Sequence, residues 1–172
     1  FKVVRSSIQI PTVPYYGIYG DHVGYIYLNS FTGEPSKEFK QAFMALKKQG
    51  ITSLIIDLRD NGGGLLDEAV TIANYFLPKG KEIVTTRGKD KKIERVYKTT
   101  STPIDTEIPL TVLVNGNSAS SSEILAGALQ DYDRAVVLGE RSFGKGLVQT
   151  TRDLVYNTKL KVTTAKYYIP SG

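Results

Sequence analysis

The residues best equipped for chemistry gather between Val112 and Gln149, VLVNGNSASSSEILAGALQDYDRAVVLGERSFGKGLVQ. Serines stand at 118, 120, 121 and 122, where a helical pattern begins, and Lys145 follows between Gly144 and Gly146. A serine hydroxyl needs a base before it can act as a nucleophile. The chain's single histidine, His22, opens a strand far from the serines in sequence, which disfavours a Ser-His-Asp triad. With no cysteine in the chain, thiol nucleophiles, disulfides and thiolate metal sites fall away. The carboxylates show no metal-ligand spacing. Lysine remains as the base. An ordinary lysine, with a pKa near ~10.4, is protonated at neutral pH, and desolvation is the general way to disfavour an ammonium. Lys145 has an apolar setting, with Phe143 before it and Leu147 and Val148 after. If 145–149 is extended, residues 145, 147 and 149 point the same way. The Gln149 amide could then hold the lysine nitrogen without adding a charge.

Each of these residues also has an ordinary reading. Ser120 with Glu123 three positions on fits a capping box, and a lysine between glycines is commonly a surface turn. The functional reading uses the same location differently. A helix N-terminus carries a partial positive field and unpaired N–H groups, which can stabilise a developing oxyanion. A second source of N–H groups is the run Arg59-Asp60-Asn61-Gly62-Gly63-Gly64. Three consecutive glycines cost backbone entropy, but they let another group approach with no Cβ in the way. The run lacks the Gly-Lys-Ser/Thr ending of a phosphate loop.

The elements needed to position these groups can be read in order. Residues 1–20, with Pro11, Pro14 and three close tyrosines, suggest an edge segment or linker. His22 to Asn29 reads as an inner strand, apolar on both faces. Phe39, Ala42, Phe43 and Leu46 give helical spacing over Pro35 to Lys48, ended at Gly50. Ser53 to Leu58 is a short apolar run of the kind found in buried parallel strands. The glycine loop leads into a helix with Leu66, Ala69, Ile72, Ala73 and Phe76 on one face. Glu82 to Lys98 reads as a hairpin turning at Gly88-Lys89-Asp90, and 99–108 as an exposed connection. Pro109 to Val114 is a second apolar strand, followed by a helix from Ser120 to Tyr132. Leu147 to Tyr156 and Lys159 to Ile169 form two further strands joined near Asn157-Thr158. Strand, special loop and helix thus occur twice, which predicts a layered α/β domain with both loops at the carboxyl ends of neighbouring parallel strands.

Composition sets the outer bounds. At 172 residues and 41% hydrophobic content, the chain suffices for one domain with a real core. No run approaches the ~20 apolar residues of a membrane-spanning helix. The net charge of +5 would permit an acidic partner. Its densest basic group, Arg87, Lys89, Lys91 and Lys92, is interrupted and carries no nucleic-acid recognition motif.

The serine cluster SASSSEI, the continuation AGALQDYDRAVVLGE and the lysine segment FGKGLVQ resemble a signature of the C-terminal processing peptidases, or tail-specific proteases. DLRDNGGG resembles the family's second signature, and VGYIYLNSFT and TTAKYY resemble other parts of its core, over residues 20–169. The resemblance implies a ββα-type, crotonase/ClpP-like core. It implies a serine endopeptidase acting near substrate C-termini, with Ser120 as nucleophile, Lys145 as general base and Gln149 supporting the lysine. Oxyanion donors would be the Ser121 N–H and a glycine N–H, Gly63 before Gly64; Asp131 matches a structural acidic position. No metal or cofactor is implied. Residues 1–20 correspond to a linker following a PDZ domain, and 21–172 to the peptidase core. The expected partners are proteins or peptides with apolar C-termini, and not nucleic acid. Homodimer formation and membrane association would depend on segments outside this sequence, and the expected location is periplasmic or otherwise extracytoplasmic. Two alternatives share the fold logic: a catalytically idle peptide-binding scaffold, and a crotonase-like enzyme acting on acyl thioesters.

Overall fold

The computed structural model spans residues 1–172 and describes all of them except Lys2, Ser6, Ser7, Gln9, Asp90, Lys92 and Ile93. Nine strands and three helices are assigned among the described residues: β1 (Tyr15–Tyr19), β2 (Val23–Tyr27), α1 (Pro35–Lys48), β3 (Ser53–Asp57), α2 (Leu66–Asn74), β4 (Glu82–Gly88), β5 (Arg95–Lys98), β6 (Leu110–Val114), α3 (Ser121–Asp131), β7 (Ala135–Gly139), β8 (Leu147–Asp153) and β9 (Lys159–Tyr168). One sheet has the order β1-β2-β3-β6-β7, and the other β5-β4-β9-β8. In the first sheet β2, β3, β6 and β7 run parallel, and β1 pairs antiparallel at the edge. The second sheet is antiparallel throughout. The proline-rich opening segment therefore contributes an edge strand.

Side-chain alternation explains how the first sheet is packed. Leu54 and Ile56 of β3, Ile26 of β2 and Val112 of β6 point to one face and are buried. Buried residues of all three helices join these in one core, with α2 between α1 and α3. In α1, Pro35 sits in the first turn, and Phe39, Ala42, Phe43 and Leu46 are buried along one stripe. Each such large side chain adds about 1.5–3 kcal/mol of transfer free energy. Phe39, Phe43 and Phe76 meet with ring centroids 5.2–6.4 Å apart. Phe76 lies beyond the end of α2, held by its N–H to Ala73 O at 3.1 Å, so the predicted apolar face runs past the helix itself.

The opposite face carries Tyr25, Ile55 and Thr111 half-buried and Val136 exposed. Tyr15 and Tyr19 lean on Tyr25, at 5.9 and 5.3 Å between ring centroids. Segment 99–108 is less exposed than its sequence suggests, with Thr99 and Ile108 buried. The buried Asn74 side chain accepts the N–H groups of Thr100 and Ser101 and donates to Ser101 O. The β4–β5 hairpin is as expected, but Asp90 of its predicted tip and Lys92 of the basic group lie outside the described residues. Arg87 pairs with Glu94 at 3.3 Å and stacks on Tyr168.

Candidate active site

What their hydroxyls already do separates the four serines. Ser118 Oγ donates to Leu58 O at 2.7 Å and accepts the Asn115 N–H at 2.9 Å. Ser121 Oγ donates to Gly64 O at 3.0 Å, and Ser122 Oγ to Asn61 O at 2.8 Å. These three are buried structural groups. Ser120 differs. Among the described residues its hydroxyl donates to no acceptor, and its Oγ turns toward the first turn of α3 without a full cap hydrogen bond. Its backbone sits at φ 58° and ψ −115°. For a residue with a Cβ that conformation costs on the order of 1–3 kcal/mol and persists only where the surroundings impose it.

Asn61 supplies much of that constraint. It is fully buried; its Nδ2 donates to Leu28 O at 2.7 Å and its Oδ1 accepts the Gly63 N–H at 2.9 Å. Its carbonyl accepts the Ala119 N–H at 3.0 Å as well as the Ser122 hydroxyl. The glycine loop and the serine turn are thereby bolted together. Outside them, Asp60 Oδ1 accepts Asn115 Nδ2 and Asn117 Nδ2 at 3.0 and 2.8 Å.

The three glycines have different duties. A Cβ on Gly63, at φ 93°, would lie 2.6 Å from Ala119 O, 2.7 Å from Ser120 Cβ and 2.9 Å from Ser121 N. Gly63 keeps the Ser121 N–H uncovered. A Cβ on Gly64 would lie 2.5 Å from Phe31 O, whereas one on Gly62 would meet nothing within 4 Å. The expected order of oxyanion donors is affected, because the Gly63 N–H is already donated to Asn61. Among the described residues the Gly64 and Ser121 N–H groups have no protein acceptor.

Glu123 holds the lysine segment against the serine helix. Its Oε2 accepts the N–H of Ser120 at 2.7 Å and of Lys145 at 3.0 Å. Its Oε1 accepts the Ser142 hydroxyl at 2.8 Å and the Gly144 N–H at 2.5 Å. Further ties run from Phe143 N–H to Ser118 O and from Tyr167 N–H to Gly146 O. Lys145, half-buried, therefore reaches a cavity of about 290 Å³ that Ser120, Gly64 and Gln149 also line, with Leu65, Leu66, Ile124, Leu147 and Val148 as apolar walls. Among the described residues the Lys145 amine makes no ion pair. Gln149 shares this wall, but no hydrogen bond joins it to Lys145 among the described residues. The β8–β9 register shifts between Val148 and Gln149, breaking the even alternation expected of 145, 147 and 149. A larger cavity, about 480 Å³, lies on the other side of Lys145, between α3, β7 and the end of β9.

Sequence reasoning treated Glu123 only as a capping residue, and Asn61 only as part of a motif. The Ser-x-x-Glu spacing was visible, but the reach of that carboxylate to residues 142–145 is a tertiary fact. Asp131 accepts the Ser171 N–H at 2.8 Å, a structural tie. His22 is exposed and does not line the cavity.

Residues 22–172 match peptidase family S41. The chain is 42% identical to a carboxy-terminal-processing protease of Bartonella bacilliformis, covering 99% of this chain and 40% of that protein. It is 41% identical to a "probable CtpA-like serine protease" of Staphylococcus epidermidis, covering 99% of this chain and 34% of the relative. A solved photosystem II D1 C-terminal processing protease superposes with a TM-score of 0.78 at 42% identity, over 87% of this chain and 38% of that one. The chain thus spans well under half the length of these relatives, while its match to the family runs through both signature loops to its last residue. It belongs to peptidase family S41.

Proposed function

We propose that this chain is the catalytic core of a serine endopeptidase that cleaves proteins near their C-termini, with Ser120 as nucleophile and Lys145 as general base. One observation carries the reading. Of the clustered serines, Ser120 alone, among the described residues, has a hydroxyl that donates to no acceptor, and it lies in a cavity shared with Lys145. Ser120 Oγ attacks the peptide carbonyl carbon as its proton passes to Lys145 Nζ. The C–N bond then breaks, and the departing amine takes that proton. Water adds to the acyl-enzyme with Lys145 again accepting a proton, and the Ser120 oxygen leaves reprotonated. The oxyanion is held by the Ser121 N–H at the start of α3 and the Gly64 N–H of the glycine loop that precedes α2. Gln149, which shares the wall but is not hydrogen-bonded to Lys145 at rest, would orient the amine by bonding to it in the substrate complex.

The apolar walls favour substrates with apolar residues near the scissile bond. Relatives bearing C-terminal processing names support a tail-directed specificity. An extracytoplasmic location, an associated PDZ domain and homodimer formation belong to the same reading. No helix among the described residues is long and apolar enough to cross a membrane. The test uses the full-length protein and its Ser120→Ala and Lys145→Ala variants on an unstructured protein with an apolar C-terminus. Both variants should lose degradation while remaining folded. Equal degradation by all three removes the dyad, and retained binding without cleavage by the parent points to an idle scaffold.

A further inference from the structure

Tyr167, near the end of β9, has no part in the dyad just described. Its phenolic oxygen is shut off from solvent and has no hydrogen-bond partner. A buried hydroxyl left unpaired costs about 1–3 kcal/mol, so its retention calls for an explanation. The ring lines both cavities, standing with Lys145 in the partition between them. The ring shares the smaller cavity with Ser120 and the larger with Glu123, and the phenol completes no hydrogen bond to either. Its backbone is fixed on two sides, by the N–H to Gly146 O at 3.1 Å and by pairing with Thr86 of β4. The unpaired donor therefore belongs to a strand held on both sides and shares a cavity with the Ser120 hydroxyl. Burial, reinforced by the Glu123 carboxylate, pushes its acidity well below that of an ordinary tyrosine. It stays a neutral donor throughout the working range.

We infer that Tyr167 is a further residue of the reaction, a fixed hydrogen-bond donor to Ser120 Oγ when that oxygen carries negative charge. Charge develops there twice: as the hydroxyl proton leaves for Lys145, and when the oxygen departs from the acyl carbon in deacylation. At both moments the phenol shares its hydrogen without giving it up, so the proton balance of acyl transfer is unchanged. In the resting state the charge is absent and the donor remains idle. An interaction made only as the barrier is crossed raises kcat without tightening substrate binding.

This rests on the assignment of Ser120, and the test separates the two. Full-length parent, Tyr167→Phe and Ser120→Ala are compared for kcat, KM and Tm on one peptide substrate. Tyr167→Phe should lower kcat on the order of 100-fold, leave KM nearly unchanged, and leave Tm unchanged or higher because an unpaired buried hydroxyl has been removed. An unchanged kcat, or a fall in kcat matched by a fall in Tm, overturns the inference. An active Ser120→Ala variant instead overturns the nucleophile on which it depends. Should the phenylalanine variant not fold, 3-fluorotyrosine at position 167 keeps the ring and hydroxyl but makes a more acidic donor. A kcat indistinguishable from that of the parent then refutes the role.

Discussion

At the scale of single residues, the serines at 118, 120, 121 and 122 are chemically identical in sequence and sharply divided in space. Ser118 holds Leu58 O and the Asn115 N–H inside the protein, whereas Ser120 is held in a backbone conformation that strains a Cβ. The two positions should respond oppositely to substitution. Ser118→Ala leaves buried polar groups without a partner and should cost about 1–3 kcal/mol in urea unfolding, with the folded enzyme still active. On the proposed mechanism Ser120→Gly should abolish catalysis, and it should exceed Ser120→Ala in stability by about 1 kcal/mol, because glycine relieves the positive φ. If alanine and glycine at 120 are equally stable, the strain attributed to this turn is absent. The helix start and the capping pattern were legible in the sequence. Which hydroxyl stays uncommitted was not, since that depends on Leu58, Asn61 and Gly64, all distant along the chain.

At the scale of elements, the parallel strands and the helices that follow them were readable from short apolar runs and 3.6-residue spacing. The glycine loop was recognisable as special, and the family resemblance put Gly63 before Gly64 as an oxyanion donor, but which glycines are crowded by their neighbours could not be read. Gly63 works by yielding space to Ala119 and Ser120, Gly64 by yielding space to Phe31, and Gly62 stands open. Gly63→Ala must push the two loops apart against backbone atoms, covering the Ser121 N–H that would hold the oxyanion. It should lower activity on the order of 100-fold or more and lower Tm clearly. Gly62→Ala should change neither by much. Equal tolerance of the two substitutions in a paired activity and melting assay would contradict the close packing of the loops. The pairing of β9 with β4 was equally hidden, because alternation marks a strand but does not name its partner. That pairing is what brings Tyr167 to the serine.

For the whole molecule, the site depends on the parallel sheet ending rigidly beneath both loops, and one charged group joins sheet to loop. Asp57, at the end of β3, accepts the Tyr25 hydroxyl of β2 at 2.6 Å and the Arg59 N–H at 2.9 Å, and it pairs with the Arg59 guanidinium at 2.6 Å. Burial alone would push the Asp57 carboxyl up; the Arg59 guanidinium, the Tyr25 hydroxyl and the Arg59 N–H outweigh it and hold the carboxyl below its usual value. Burial, and after it the same carboxylate, push Tyr25 up to about 12. A carboxyl whose pKa is depressed on folding contributes stability that is present above its unfolded value, near ~3.9, and is lost as pH falls through the folded value. Asp105, held down despite burial by Lys47 and the N–H groups of Ile108 and Glu107, loses its contribution in the same direction. Acid should therefore destabilise the domain below about pH 4, and Asp57→Asn isolates one share of that loss. Near neutrality the variant should be less stable by about 1–2 kcal/mol, less than for a wholly buried pair because the Arg59 side chain is 52% exposed. The gap between parent and variant should close as the pH is lowered from 5 toward 2, because the parent's carboxylate is then itself neutral. Urea midpoints measured across that range decide the matter: a gap that stays constant would mean that Asp57 supports the sheet through its shape and not through its charge.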